Sequence, residues 1–252
     1  MVTVRNVFLN IHIWTGFFAL VLFWGIVFLK KGSLLHRKMG LIYFFSILML
    51  FVSSFVNTLL VLRLPQVLRP ELKVEFVYIY YSFLFLASHL CFTPSFIAII
   101  VFFKNPETFR KLTQVAFCFV ISQIFFAVAV SIYSLLQLNI FLFLFSTVFT
   151  VISVRRDYKS LNSLKLNAKT LLFSDKLKIH LKSVIAGAIA LHIGFAAGGS
   201  SIRYFKSTNS PLYLILLTSF AFIFMWFFEK KIFDHMIEKY STNSAHNPSS
   251  TS

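Results

Sequence analysis

Acidic side chains are scarce in this chain, with eight Asp and Glu against 24 Lys and Arg. None of the eight (Glu71, Glu75, Glu107, Asp157, Asp175, Glu229, Asp234 and Glu238) falls within its long apolar runs, and no Lys or Arg does either. Carboxylate-driven proton or sodium coupling therefore lacks its usual residues within a membrane. A seven-helix retinal protein would need a Lys in the last run, and none is there. Cysteine is nearly absent too: Cys91 and Cys118 form no CxxC pair, so neither a disulfide framework nor a zinc site is expected.

What fills the chain is hydrocarbon. With 58% hydrophobic and 13% charged residues, a water-soluble globule would expose large apolar patches, so lipid must be the solvent. The apolar residues gather into runs long enough to cross a hydrocarbon layer of roughly 30 Å as helices. Barrel strands would alternate polar and apolar residues, and these runs are apolar all round. The expected fold is therefore all-α, a polytopic bundle of about seven transmembrane helices over 7–29, 40–62, 77–103, 114–136, 139–154, 183–199 and 211–228. Gln137-Leu138-Asn139 alone punctuates the fourth and fifth runs. Should they form one long helix, the count falls to six.

Charge sets the expected orientation. The first, third and fifth loops with the tail carry 18 of the 24 Lys and Arg, which favours an amino terminus outside and a carboxyl terminus in the cytoplasm. The formal net charge of +16 then reads as a topology signal and an attraction to the anionic head groups of a lipid bilayer. Nucleic acid is set aside as a partner. The first run lacks a small-x-small cleavage site before Lys30-Lys31 and reads as a retained anchor. Residues 155–182 are expected as a basic cytoplasmic segment lying on the inner leaflet, through Leu161, Leu164, Leu171, Leu172 and Phe173. Residues 229–240 form a second amphipathic stretch, followed by a polar tail over 241–252.

Histidine is the ionisable residue that does enter the runs, at His12, His89 and His192. A neutral imidazole can ligate haem iron without bringing net charge into lipid. His12 and His192 are expected in the outer half of the bilayer, with His36 and His180 at the cytoplasmic edge, as two tiers of paired ligands. Small residues flank the outer pair at helical spacing, His12, Thr15, Gly16 and Ala19 on one helix, and Ala188, His192, Ala196 and Gly199 on the other. Such stripes admit a flat cofactor, and equally another helix. Against the tiers, twelve residues leave His180 and His192 roughly 120° apart around their helix. His89 precedes Pro94, which should free a backbone carbonyl.

The pattern His12, Gly16, Ala19, Gly25, Gly32, His36-Arg37, Gly40 and Tyr43 resembles the opening of a family of bacterial membrane proteins, domain of unknown function 2306. Asp175 with His180, entering a helix rich in small residues, is similar to that family's second His element, although Ser183 and Val184 follow where a Met is expected. The resemblance implies an integral protein of the bacterial inner membrane with recurring histidines at His12, His36 and His180. It implies no particular activity. Two functional expectations stand: a non-catalytic membrane protein, such as an assembly factor or permease with structural or path-lining histidines, or a b-type haem protein with His12, His192, His36 and His180 as ligands.

Overall fold

The computed structural model of the chain describes residues 2–68, 74–103, 105–136, 140–167, 171–199 and 227. These form helices α1 (Val2–Phe28), α2 (Leu34–Arg63), the single turn α3 (Pro65–Leu68), α4 (Val74–Ile100), α5 (Pro106–Leu136), α6 (Ile140–Asn167) and α7 (Phe173–Gly199). Five of them, α1, α2, α4, α5 and α7, are long and apolar enough to cross a membrane. The chain is a multi-span membrane protein. The seventh expected span, 211–228, and the segments 229–240 and 241–252 lie outside the described residues, apart from Phe227.

Helix boundaries follow local chemistry. Lys31 Nζ donates to the carbonyls of Ile26 and Val27, both at 3.0 Å, closing the end of α1. Gly32 then turns the chain at φ 78°, a left-handed conformation that a side chain would strain. Ser33 opens α2 by accepting from the His36 backbone N–H at 3.1 Å. Asn105 does the same for α5, accepting from the N–H groups of Glu107 and Thr108 at 3.0 Å, with Pro106 in the first helical position.

Each long helix runs antiparallel to the next, and α4 holds the centre. It packs against α2, α5, α6 and α7, and α1 closes against α2 and α7. Of its spanning stretch 83% is buried, against 28% for α1, as expected of a helix that is apolar on every side. α1 turns Trp14, Phe17, Phe18 and Phe28 outward, as a lipid-facing helix does. Phenylalanine cements α4 to two neighbours: Phe92 stacks on Phe51 of α2 at 4.8 Å and meets Phe119 of α5 edge-on at 4.9 Å. The contact with α7 uses small residues instead. A Cβ on Gly187 would sit 2.5 Å from Ser95 Oγ and 3.1 Å from the Cys91 carbonyl, and one on Gly194 would meet Ala87, so α7 rides on α4 almost backbone to backbone.

The fourth and fifth expected spans are separate helices. Ser131 Oγ lies 3.0 Å from Ser146 Oγ, whereas a continuous helix would hold those residues roughly 22 Å apart. α6 corrects another expectation, because it does not stop at residue 154 but continues as helix to Asn167. Its later part packs into the bundle, where Leu161 and Leu164 join Ile97, Ile100, Ala116 and Val120 in a buried cluster. Leu172 and Phe173 are exposed, and α7 begins ten residues before the expected sixth span.

The same continuation brings a carboxylate into the protein interior. Asp157 is fully buried. Residues Ile97 and Ile100 share a layer with Leu161 and Leu164, which sets Asp157 level with Thr93, some ten residues, or roughly 15 Å, inside the expected end of the third span. Sequence hydropathy misses this because Arg155, Arg156 and Lys159 follow the apolar run and mimic a membrane boundary.

Candidate functional site

α1 and α2 position His12 through one bond, its Nδ1 lying 3.3 Å from the Leu50 carbonyl. A carbonyl only accepts, so Nδ1 carries the proton. Gly16, one turn on, faces α2 as well, with Leu50 Cδ1 3.2 Å from where a Cβ would stand. The small stripe of α1 therefore admits a helix.

His192 lies elsewhere. Its Nδ1 is 2.7 Å from the Ala188 carbonyl one turn back, and Trp24 Nε1 donates to its Nε2 at 3.2 Å. Indole N–H donates only, so the ring is neutral with its proton on Nδ1, and both nitrogens are committed. Phe23 packs edge-on at 5.9 Å. Trp24 is twelve residues along α1 from His12, roughly 18 Å of helix. His12 and His192 therefore do not share a level, and the expected outer tier is not assembled. Ala188 is buried against α1 and α2 as a packing residue, while Ala196 and Gly199 have no described side-chain surroundings.

The other pair lies within electrostatic range at one end of the bundle. His36, in the first turn of α2, interacts electrostatically with His180 and with Lys31, and His180 also feels Lys31. His180 Nδ1 lies 2.9 Å from the Ala98 carbonyl, with Phe102 edge-on at 5.1 Å. The Nδ1 of His36 is buried without a hydrogen-bond partner among the described residues. Lys31 stands in the connecting turn, where burial pushes its ammonium below the usual lysine range.

His89 is the most enclosed imidazole, 2% exposed within α4. Its Nε2 lies 2.6 Å from Ser122 Oγ, whose own proton goes to the Phe119 carbonyl at 2.9 Å, so Nε2 is the donor. Its Nδ1 is 3.2 Å from Thr93 Oγ1. Phe51, Phe85, Phe119 and Phe126 surround the ring at 5.2 to 6.2 Å. Gln123 Nε2 donates to its backbone carbonyl at 3.3 Å. Thr93 Oγ1 gives its own proton to the His89 carbonyl at 3.1 Å, so the ring is held through Nε2. α4 continues through Pro94, and Ser95 Oγ donates to the Cys91 carbonyl at 2.9 Å.

One group was not singled out from sequence. Asp157 Oδ1 accepts from Arg156, with Nη2 at 2.8 Å and Nε at 2.9 Å, and Arg156 Nη2 also donates to Ser153 Oγ at 2.8 Å. Asp157 Oδ2 is buried without a partner among the described residues. The available signal was the helical repeat Ser146, Thr150, Ser153, Asp157, Ser160, which runs across the presumed boundary unbroken. Among the described residues no group of three His, Cys, Asp or Glu comes together as a metal site. Comparison with protein-family models, with curated proteins and with solved structures finds no match to this chain.

Proposed function

We propose that this chain is a non-catalytic integral membrane protein of the bacterial inner membrane, an assembly factor or small-molecule permease, whose histidines hold helices together or line a path. It stands with its amino terminus outside, as the distribution of Lys and Arg favours. The observation that carries the reading is the commitment of His192: Trp24 donates to its Nε2 and its Nδ1 proton goes to the Ala188 carbonyl, leaving that ring no lone pair for iron. The separation of His12 from His192 along α1 supports it. The resemblance to the domain of unknown function 2306 is compatible with it and adds no activity.

A second reading, haem held at the other end of the bundle, draws on one observation. His36 and His180 lie within electrostatic range of each other there, the Nδ1 of His36 is buried without a partner among the described residues, and a carbonyl orients His180 as second-shell partners orient metal-bound imidazoles. The visible spectrum of detergent-purified protein after haem supplementation separates the two. The first reading expects no Soret band. A stoichiometric band that His180→Ala abolishes would replace it with the second.

A further inference from the structure

The α5–α6 interface is lined with hydroxyls and amides, and several have no one to bond. Ser131 bridges to Ser146 and Thr147, both at 3.0 Å. Beside and beyond that rung, Ser134 Oγ, Thr150 Oγ1, Gln123 Oε1 and Asp157 Oδ2 are all buried without a partner among the described residues. Ser134, Gln123 and Asp157 are each 0% exposed. A buried polar group left unsatisfied costs on the order of 1–3 kcal/mol, so four along one seam call for an occupant.

Their spacing says which occupant fits. Ser131 opposite Ser146 sets Thr150 level with Ala127, Gln123 close to Ser153, and Asp157 level with Val120. Successive groups along α6, Ser146, Thr150, Ser153 and Asp157, are therefore about 5–6 Å apart. One water accepting or donating on each side at about 2.8 Å spans that interval. A single cation cannot, since Thr150 and Asp157 are roughly 10 Å apart along the helix. Ser146, Ser153 and Arg156 also border a separate, largely apolar cavity of about 70 Å³ between α4, α6 and α7, with no α5 residue in its lining. Past Asp157 the seam ends in Leu161, Leu164, Ile97, Ile100 and Ala116.

We propose that the α5–α6 seam carries a file of bound water that delivers protons from the side of the α5–α6 turn to the Asp157 carboxylate, which is closed to the opposite side. An O–H bond forms at Oδ2 as the adjacent water gives up a proton, and that water is reprotonated from the next along the file. Nothing is oxidised or reduced. Arg156 remains cationic on Oδ1, so the site gains one positive charge. The side chains that act on Asp157 are Arg156 and Ser153 of its own helix. α4 presents His89 about one turn away, α5 presents the neutral Gln123 and Val120, and α7 carries His180 and Lys182 nearer the end of the bundle. The site deepens the path-lining reading above and rests on α6 being membrane-embedded.

The test uses the full chain in proteoliposomes, with the α5–α6 face identified by labelling Leu136→Cys, an exposed position. The carboxylic-acid C=O infrared band that Asp157→Asn removes is followed after a pH drop on one face. We expect it to grow when the α5–α6 face is acidified and to stay constant when the other face is. Thr150→Val, close in shape and without the hydroxyl, should slow its rise at least tenfold. A band that does not respond, responds equally from both faces, or rises at the wild-type rate in Thr150→Val overturns the proposal. Failure of Leu136→Cys to label from either face of intact vesicles would instead sink the spanning reading beneath it.

Discussion

Trp24 Nε1 donates to Nε2 of His192 at 3.2 Å, tying the second half of α1 to α7 across a gap of 168 residues in sequence. The bond uses the nitrogen that a metal would need. It also leaves the Nδ1 proton of His192 on the Ala188 carbonyl, so the imidazole clamps two helices and stays uncharged. A double-mutant cycle with Trp24→Phe and His192→Phe keeps both rings and removes the bond. The expected coupling is about 1 kcal/mol in reversible unfolding in mixed micelles. Strict additivity of the two single variants would show that packing alone joins them.

Gly187 is where α7 comes closest to α4. Gly187→Ala places a methyl 2.5 Å from Ser95 Oγ, and the forced separation should cost about 1–3 kcal/mol. Ser95→Ala removes that oxygen and leaves its Cβ at 3.7 Å, so the double variant should recover most of the loss. Thermal unfolding of the four proteins in one detergent measures it, and no recovery would place the crowding at the Cys91 carbonyl instead.

Arg156 and Asp157 form an ion pair whose acidic partner is the more enclosed, with side chains 27% and 1% exposed. Removing the cation in Arg156→Met strands the carboxylate. The expected loss is about 3 kcal/mol, at the low end of the roughly 3–5 kcal/mol for breaking an enclosed pair. Asp157→Asn in the same chain should restore at least half of it. If Arg156→Met unfolds no more readily than wild type, Asp157 is already neutral in the native protein.

Lys31 closes α1 and is held in a setting that disfavours its charge. Its Lys31→Met variant should lose about 1 kcal/mol from the uncapped carbonyls near pH 7. The pH dependence has a definite sign: burial depresses the folded value below the ordinary 10.5, so the folded state binds the proton less tightly than the unfolded chain. The charge penalty is in force below the folded value and is relieved as pH rises toward 10.5. The advantage of wild type over Lys31→Met should therefore grow with alkalinity, as paired denaturation curves would record. A constant difference would show that Lys31 is solvated.

Much of this architecture is legible in the sequence. Six apolar runs correspond to the long helices, because a run of some 20 apolar residues can do little else in lipid. The end of α6 was not legible, since Arg155 and Arg156 signal a boundary by composition while the hydroxyl repeat through Asp157 signals continuity by period, and period wins once neighbours cover the helix. The histidine tiers failed for a related reason. Counting residues from each helix end gave His12 and His192 similar depths, but α7 begins at Phe173, ten residues earlier than its hydropathy suggests, and so slides His192 down to Trp24. Gln123 was hidden, a polar residue whose importance depends on a neighbour from another helix.

The central seat of α4 has a consequence for how the molecule is made. Ile185, Ala188 and Leu191 of α7 complete the cluster that joins α1 to α2, yet α7 leaves the ribosome after all the others described. Until it arrives, the flank of α4 bearing Ala87, Cys91 and Ser95 lacks its partner. The α5–α6 hairpin meanwhile already holds its own serine rung. Biogenesis thus has a built-in order: a hairpin that can settle at once, and a first core that waits for the latecomer to slot its glycines against the middle helix.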